Sequence, residues 1–343
     1  LAWSDFPFVA LKRWMKGLGT LIMALIILSE IKPYKALESI LRKMAFLLLP
    51  LSVILINYFP RLGRTYHMGR PMFIGVTGHK NMLGMLCLIA GVYFLWSFLY
   101  KPMKRSTPKD KALLALYTVM AAMIIWLFYK ANSATSRACM FAAGFILLAA
   151  RFPSFRKKPQ SAIAFFVVVF ITAFSVEALF GVKDKIIVLL GREPSLTSRV
   201  PMWKDLISMV SNPLLGFGYD SFWMGDRQQY IYETWGIRQS AHNGYLEMYL
   251  NLGLVGVTFI VAWIVSGLQK IRRHLQADYA AGIFRLTIIV VVAIYSYAEA
   301  TFYGVSLMWA LLFLVVMDPI SAKGRAAPSR RPGDQPPLGP IGP

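Results

Sequence analysis

Cysteine is nearly absent: Cys87 and Cys139 are the only two in 343 residues, each inside or beside an apolar run. Neither a disulfide framework nor a thiolate zinc site is therefore indicated. Acidic residues are also scarce, 16 against 37 lysines and arginines. A P-loop, a GxGxxG run after a strand, and an Asp-x-Asp pair able to hold a metal with a nucleotide-sugar are all missing, and no internal repeat is evident. These absences leave no sequence signal for a metal or a cofactor.

What abounds is apolar sequence. Hydrophobic residues make up 57% of the chain and the mean hydropathy is +0.54, yet the net charge is +21. That pairing implies an integral membrane protein with basic loops, whose partner is the lipid bilayer; a nucleic-acid binder would carry its charge on a soluble domain. Segments of about 17 to 25 apolar residues cross the hydrocarbon layer as helices. Nine candidates are present, at 17–29, 42–59, 82–100, 112–129, 138–150, 161–181, 244–268, 285–299 and 302–317. The expected fold is all-α, a polytopic transmembrane helix bundle.

Basic residues orient the bundle. With 30–43, 101–111, 151–160, 269–285 and the C-terminal tail on the cytoplasmic side, most lysines and arginines outside the spans fall there, as the positive-inside rule requires. The long interval from Val182 to Ala241 then lies outside. The expected division is 1–181 transmembrane helices, 182–243 an extracytoplasmic catalytic loop containing short helices, 244–321 transmembrane helices, and 322–343 a disordered, Pro/Gly/Arg-rich cytoplasmic tail. Lys12, Arg13 and Lys16 fall on the wrong side of the first span. That conflict fits either a truncated chain, which Leu1 in place of Met also leads us to expect, or a first segment lying along the interface.

Polar chemistry concentrates between Ser198 and Gly256. Ser198 is placed to cap a short helix with Trp203, Leu206, Ile207 and Val210 on one face, ending at Asn212-Pro213 because the residue before proline avoids the helical region. Gly216 and Gly218 allow a tight loop. Asn243 is the expected N-cap of the next apolar helix, with His242 at its mouth and Glu247 about one turn inside. A neutral imidazole is a ready general base, and Glu247 would orient it or simply favour the positive end of its helix. Two more polar stretches fall at helix starts on the same side: Gly78-His79-Lys80-Asn81 and Ser136-Arg137, while Glu299 sits at the turn between the last two spans. Arg137, Arg199 and Lys80 would lie at one membrane face, where a polyanionic headgroup can be held by charge-assisted hydrogen bonds. Blander readings stand beside these. Arg137 can be a snorkelling anchor, His79-Lys80-Asn81 a capped helix end, and the aromatic cluster that includes Trp203, Trp223, Trp235 and Tyr245 an interfacial belt or a set of sugar platforms.

Arg199-x3-Trp203, the Asn-Pro-Leu-Leu-Gly-Phe-Gly run at 212–218, and Ala-His-Asn-Gly-Tyr-Leu-Glu followed by Leu252-Gly-Leu-Val-Gly256 resemble the signature region of bacterial O-antigen ligases and the related O-antigen and exopolysaccharide polymerases. Thr135-Ser136-Arg137 and Gly78-His79-Lys80-Asn81-x-Leu-Gly84 are similar to two further motifs of that family, the second in its polymerase form. The resemblance implies a C-type membrane glycosyltransferase of the bacterial inner membrane, working on the periplasmic face without metal or nucleotide-sugar. Its donor would be a glycan on undecaprenyl diphosphate. Its acceptor would be a sugar hydroxyl on another lipid-linked repeat unit, for a polymerase, or on lipid A core, for a ligase. By position, Arg137 and Arg199, with Lys80, would bind the diphosphate and His242, with Glu247, would serve the acceptor hydroxyl. His79, Asn81, Trp203, Asn243 and Tyr245 would be further substrate contacts. The family has roughly a dozen spans, more than this chain offers. A lipid-linked glycan transporter or an export-complex scaffold is the alternative from another class. A transporter would place ionisable residues deep in its spans.

Overall fold

A computed structural model describes residues 2–67, 69–101, 107–158, 164–165, 199–237, 239–302 and 304–317. Its described elements are helices, with one small hairpin. In chain order they are α1 (Pro7–Leu28), α2 (Pro33–Tyr58), α3 (Pro60–Gly63), β1 (Arg64–His67), β2 (Arg70–Phe73), α4 (Lys80–Tyr100), α5 (Pro108–Ala131), α6 (Ala134–Ala149), α7 (Pro153–Lys157), α8 (Arg199–Ser208), α9 (Gly225–Trp235), α10 (Gly244–Ala277), α11 (Tyr279–Ala298) and α12 (Leu307–Val316). Proline opens α1, α2, α3, α5 and α7, where its fixed φ suits the first helical position and its missing N–H is not needed.

The protein is an all-α polytopic membrane protein. Among the described residues, five helices are long and apolar enough to cross a membrane: α2, α4, the Asp110–Ala131 part of α5, α10 and α11; α6 and α12 are apolar but shorter. The expected span at 161–181, but for residues 164–165, and the 322–343 tail lie outside the described residues.

Three expectations change. The hairpin was not foreseen; β1 and β2 pair antiparallel from Arg64–Phe73 to His67–Arg70, and Arg64 and Lys130 both cover the Phe73 ring. Helices also outrun their apolar stretches. Residues 269–285 are not a loop but the end of α10 and the start of α11, parted only at Asp278, whose carboxylate caps α11 by accepting from the Ala281 N–H at 3.0 Å. Arg285 is consequently buried within α11, stacked over Tyr34 and donating to the Met317 carbonyl. Finally, the basic start of α1 has a partner: Arg13 reaches Asp220, with its Nη1 donating to the Asp220 carbonyl at 2.6 Å and its Nε 3.6 Å from the carboxylate.

α4 and α11 are apolar on most sides and form the centre of the bundle, with α5, α6, α10, α12 and α2 packed around them. Small residues allow close approach, as where Gly84 of α4 faces Ser133 and Ser136 of α6. Connections between successive long helices place the starts of α4, α6, α10 and α12 at one end of the bundle. Lys101, Arg151 and Arg156 gather at the other, around Tyr100 and Tyr279. The chain from α8 to the start of α10 builds a second small core, around Met202, Leu206, Phe222, Trp223, Ile231 and Leu250.

Candidate active site

The site end is organised by a break in α10. Gly253 takes φ 61°, ψ −157°, a backbone conformation essentially reserved for glycine, so the helical ladder stops there. The Asn212–Gly218 loop supplies what the ladder loses. Phe217 and Gly218 donate to the carbonyls of Leu250 and Asn251 at 3.1 and 2.8 Å, and Leu254 and Val255 donate to those of Pro213 and Leu214 at 2.8 and 3.2 Å. The loop holds its own shape through Asn212, whose side-chain oxygen accepts from Leu214 and Leu215. Two sequence signatures far apart in the chain are thus one structural joint.

Next to this joint Asn251 accepts from the N–H groups of Ser221 and Phe222 at 3.0 and 3.2 Å. Glu247, one turn earlier, is 1% exposed, and both of its oxygens are used: Oε2 accepts from Trp223 Nε1 at 2.8 Å and Oε1 from the Ala241 N–H at 2.6 Å. The expected pairing of Glu247 with His242 is therefore corrected. Glu247 points down among loop donors, because a buried carboxylate must be saturated by hydrogen bonds and these are the donors in reach.

His242 sits just outside the helix with φ 52°, an uncommon value for a residue bearing a Cβ. Its backbone is pinned on both sides. Its N–H donates to Ser240 Oγ at 3.0 Å, and Asn243 caps α10 by accepting from Tyr245 and Leu246 at 3.0 and 3.1 Å. The imidazole Nδ1 faces Glu299 Oε2 at 3.5 Å. The other Glu299 oxygen accepts from Asn81 Nδ2 at 2.6 Å. Arg199, at the first position of α8, donates to the carbonyl of Ala298, the residue before Glu299, at 3.1 Å. Burial pulls the Arg199 guanidinium below its ordinary value, while the nearby Glu299 carboxylate pulls it back.

The structure therefore brings His242 and Asn81 of the sequence-predicted residues to one carboxylate, that of Glu299, for which no role was expected, and Arg199 to the carbonyl of the residue before it. Glu299 was visible as an acidic residue at the turn before the last span in an acid-poor chain; nothing local tied it to His242. His79 caps α4, its Nδ1 accepting from the Asn81 N–H at 3.3 Å, and Lys80 is the first residue of that helix. Arg137 lies one turn into α6 and donates to Asn132 at 3.0 Å, so the two arginines are held by different partners. Trp203 and Tyr245, expected as substrate contacts, are turned to structural tasks. Trp203 Nε1 donates to the Ala241 carbonyl at 2.8 Å with its ring edge-on to Tyr297, and Tyr245 reaches the Ala293 carbonyl of α11 at 3.1 Å. The expected face of α8 shifts likewise: Met202, Leu206 and Val210 are buried while Ile207 is exposed.

Beside the carboxylate opens a cavity of about 490 Å³. His79, Asn81, Glu299, Thr301 and Ser306 give it a polar side, and Met44 and Leu48 of α2 with Met82 and Met85 of α4 an apolar one. Among the described residues no cluster of three His, Cys, Asp or Glu is placed to hold a metal ion.

Residues 111–261 match the family model described as O-antigen ligase. Over that stretch the chain is similar to O-antigen ligases. The matched stretch runs from α5 to the middle of α10 and so contains Arg137, Arg199, His242 and Glu247, whereas Asn81 and Glu299 come from outside it. No curated protein matches the chain. The joint between the Asn212–Gly218 loop and the α10 break lies wholly within the matched segment, which gives those glycines and that Asn-Pro pair a physical purpose.

Proposed function

We propose that this protein is a glycosyltransferase of the inner membrane that moves a glycan from undecaprenyl diphosphate to a sugar hydroxyl at the periplasmic face, acting as a polymerase of lipid-linked repeat units. The observation that carries this reading is the meeting of His242, Arg199 and Asn81, from three separate helices and their approaches, at one end of a membrane bundle beside a cavity that is polar on one side and apolar on the other. An amphipathic cavity suits a substrate that is part lipid and part sugar. The His-Lys-Asn form at 79–81 favours polymerase over ligation to lipid A core.

In this scheme the acceptor oxygen attacks the anomeric carbon of the donor, the bond from that carbon to the phosphate oxygen breaks, and the electron pair leaves on the diphosphate. Fixed guanidinium groups stabilise that growing charge most strongly away from bulk water. Arg199, half-buried, and Arg137, at the start of α6, are the clamp, with Lys80, the first residue of α4, as a third cation; arginine suits the task because its charge is pH-independent and its fork grips two oxygens. The acceptor proton passes to His242. Glu247 supports this machinery from beneath, holding Ala241 and Trp223.

The test is a gel profile of surface polysaccharide from a cell deleted for the gene and complemented with full-length protein or variants. Deletion leaving single repeat units on their usual acceptor means a polymerase; deletion that abolishes attachment while long lipid-linked chains accumulate means a ligase. Asparagine tolerates the φ of position 242, so His242→Asn keeps the backbone and removes the base, and transfer falls about 10²- to 10⁴-fold. Arg199→Lys keeps the charge and loses the fork, lowering transfer as well. A profile unchanged by deletion and by both variants sinks the glycosyltransferase reading and moves a scaffold role forward.

A further inference from the structure

We propose that Glu299 is the positioning residue of this site: its carboxylate takes the Nδ1 side of His242 with one oxygen and the Asn81 amide with the other, and so sets which imidazole nitrogen is free to accept a proton. The inference rests on the glycan-transfer reading for its chemistry, although the pairing itself stands on geometry alone. Three elements meet at this side chain. Asn81 Nδ2 lies 2.6 Å from one oxygen and His242 Nδ1 3.5 Å from the other, and the next residue back, Ala298, holds Arg199. Asn81 is tied to the same end of α11 a second time, through its carbonyl, which accepts from Tyr295 Oη at 3.2 Å. The Glu299 side chain is only 14% exposed and borders the cavity, so its charge needs partners, and among the described residues His242 and Asn81 supply them. Glu247 does not take the part: its oxygens accept from Trp223 and Ala241, and the imidazole faces Glu299 instead.

A neutral imidazole carries one N–H. A carboxylate facing Nδ1 keeps the proton there, leaving the lone pair on Nε2. When the acceptor oxygen bonds to the anomeric carbon, its proton moves to Nε2, the electron pair of the broken bond departs with the diphosphate, and Glu299 stabilises the imidazolium that results. The left-handed backbone at His242, held by Ser240 and followed by the Asn243 cap, sets the direction in which the ring leaves the chain toward this carboxylate.

The experiment pairs a spectroscopic arm with a kinetic one on the full chain in lipid nanodiscs. With ¹⁵N-labelled histidine the chain gives four imidazoles to follow, and His242→Asn identifies the signal of residue 242. We expect the Nδ1–H tautomer in the wild type and a shift toward Nε2–H in Glu299→Gln. In the kinetic arm Glu299→Gln lowers kcat about 10²- to 10⁴-fold while KM for the lipid-linked donor stays within about threefold, and Glu299→Asp recovers part of the rate. Wild-type turnover in Glu299→Gln overturns the proposal, as does lost turnover with an unchanged His242 tautomer. If Glu299→Gln unfolds early in a melt, Glu299→Asp carries both arms, with a mixed tautomer and an intermediate rate expected and wild-type values in both overturning it. A wild type that transfers no glycan defeats the functional reading, while the tautomer arm still decides the pairing.

Discussion

Glu247 shows how a residue's task is fixed by its donors and not by its distance along the chain from a histidine. Its two oxygens accept from two buried donors, Trp223 Nε1 and the Ala241 N–H. Glu247→Gln replaces one of those oxygens with an NH2 that cannot accept, so either the indole or the Ala241 N–H loses its partner, and a buried donor left unpaired costs about 1–3 kcal/mol. Trp223→Phe removes the indole donor. We expect the double variant to melt closer to Trp223→Phe than the single effects add up to, with a coupling of about 1 kcal/mol in a double-mutant cycle followed by thermal unfolding in detergent. Additive losses would show that the two side chains do not depend on one another. At this scale the sequence was legible wherever the interaction was local: Asn243 caps α10 and His242 stands at its mouth, because capping is written within three residues. The Glu299 partner of His242 was not legible, since the intervening α10 and α11 must fold back on each other before the two meet.

At the scale of elements, the helices were readable from apolar length and the start of α10 from its Asn243 cap, while the proline-led starts of α1, α2 and α5 lay ahead of the apolar stretches. The break in α10 was not. Leu252-Gly-Leu-Val-Gly256 has the composition of an uninterrupted apolar helix, and only the docked Asn212–Gly218 loop makes a break there tolerable. Gly253→Ala is the direct probe. A Cβ at that position would strike the Leu214 backbone as well as adopting a forbidden φ, so loss of folded protein is expected. Gly236→Ala is the control: its φ is 68° but nothing lies within 4 Å, and the expected penalty is the conformational one alone, about 1–2 kcal/mol. Similar yields for the two variants in size-exclusion chromatography would mean that the loop and helix are not joined as described.

At the scale of the molecule, the alternation of helix ends was the most legible feature, because the hydrocarbon layer leaves few options for an apolar chain with clustered basic residues. Sidedness can be measured directly. Cys87 and Cys139 are buried, so an introduced thiol dominates labelling. Thr234→Cys, exposed in α9, should react with a membrane-impermeant maleimide in intact spheroplasts, and Ser154→Cys, exposed in α7, only after lysis. The reverse order would invert the periplasmic assignment. Biogenesis follows from the α10 joint. Alone in the bilayer, that helix can close Leu254 on Leu250 and Val255 on Asn251 as ordinary i to i−4 bonds, so the break opens only when the Asn212–Gly218 loop takes over all four groups, since none can be left unsatisfied near hydrocarbon. That loop is translated earlier and must be threaded across and curled before the break can form. Newly made chains in which that curl is weak would therefore be met first by membrane quality-control proteases, and a lesion in the loop would register in the cell as missing protein before it registered as missing polysaccharide.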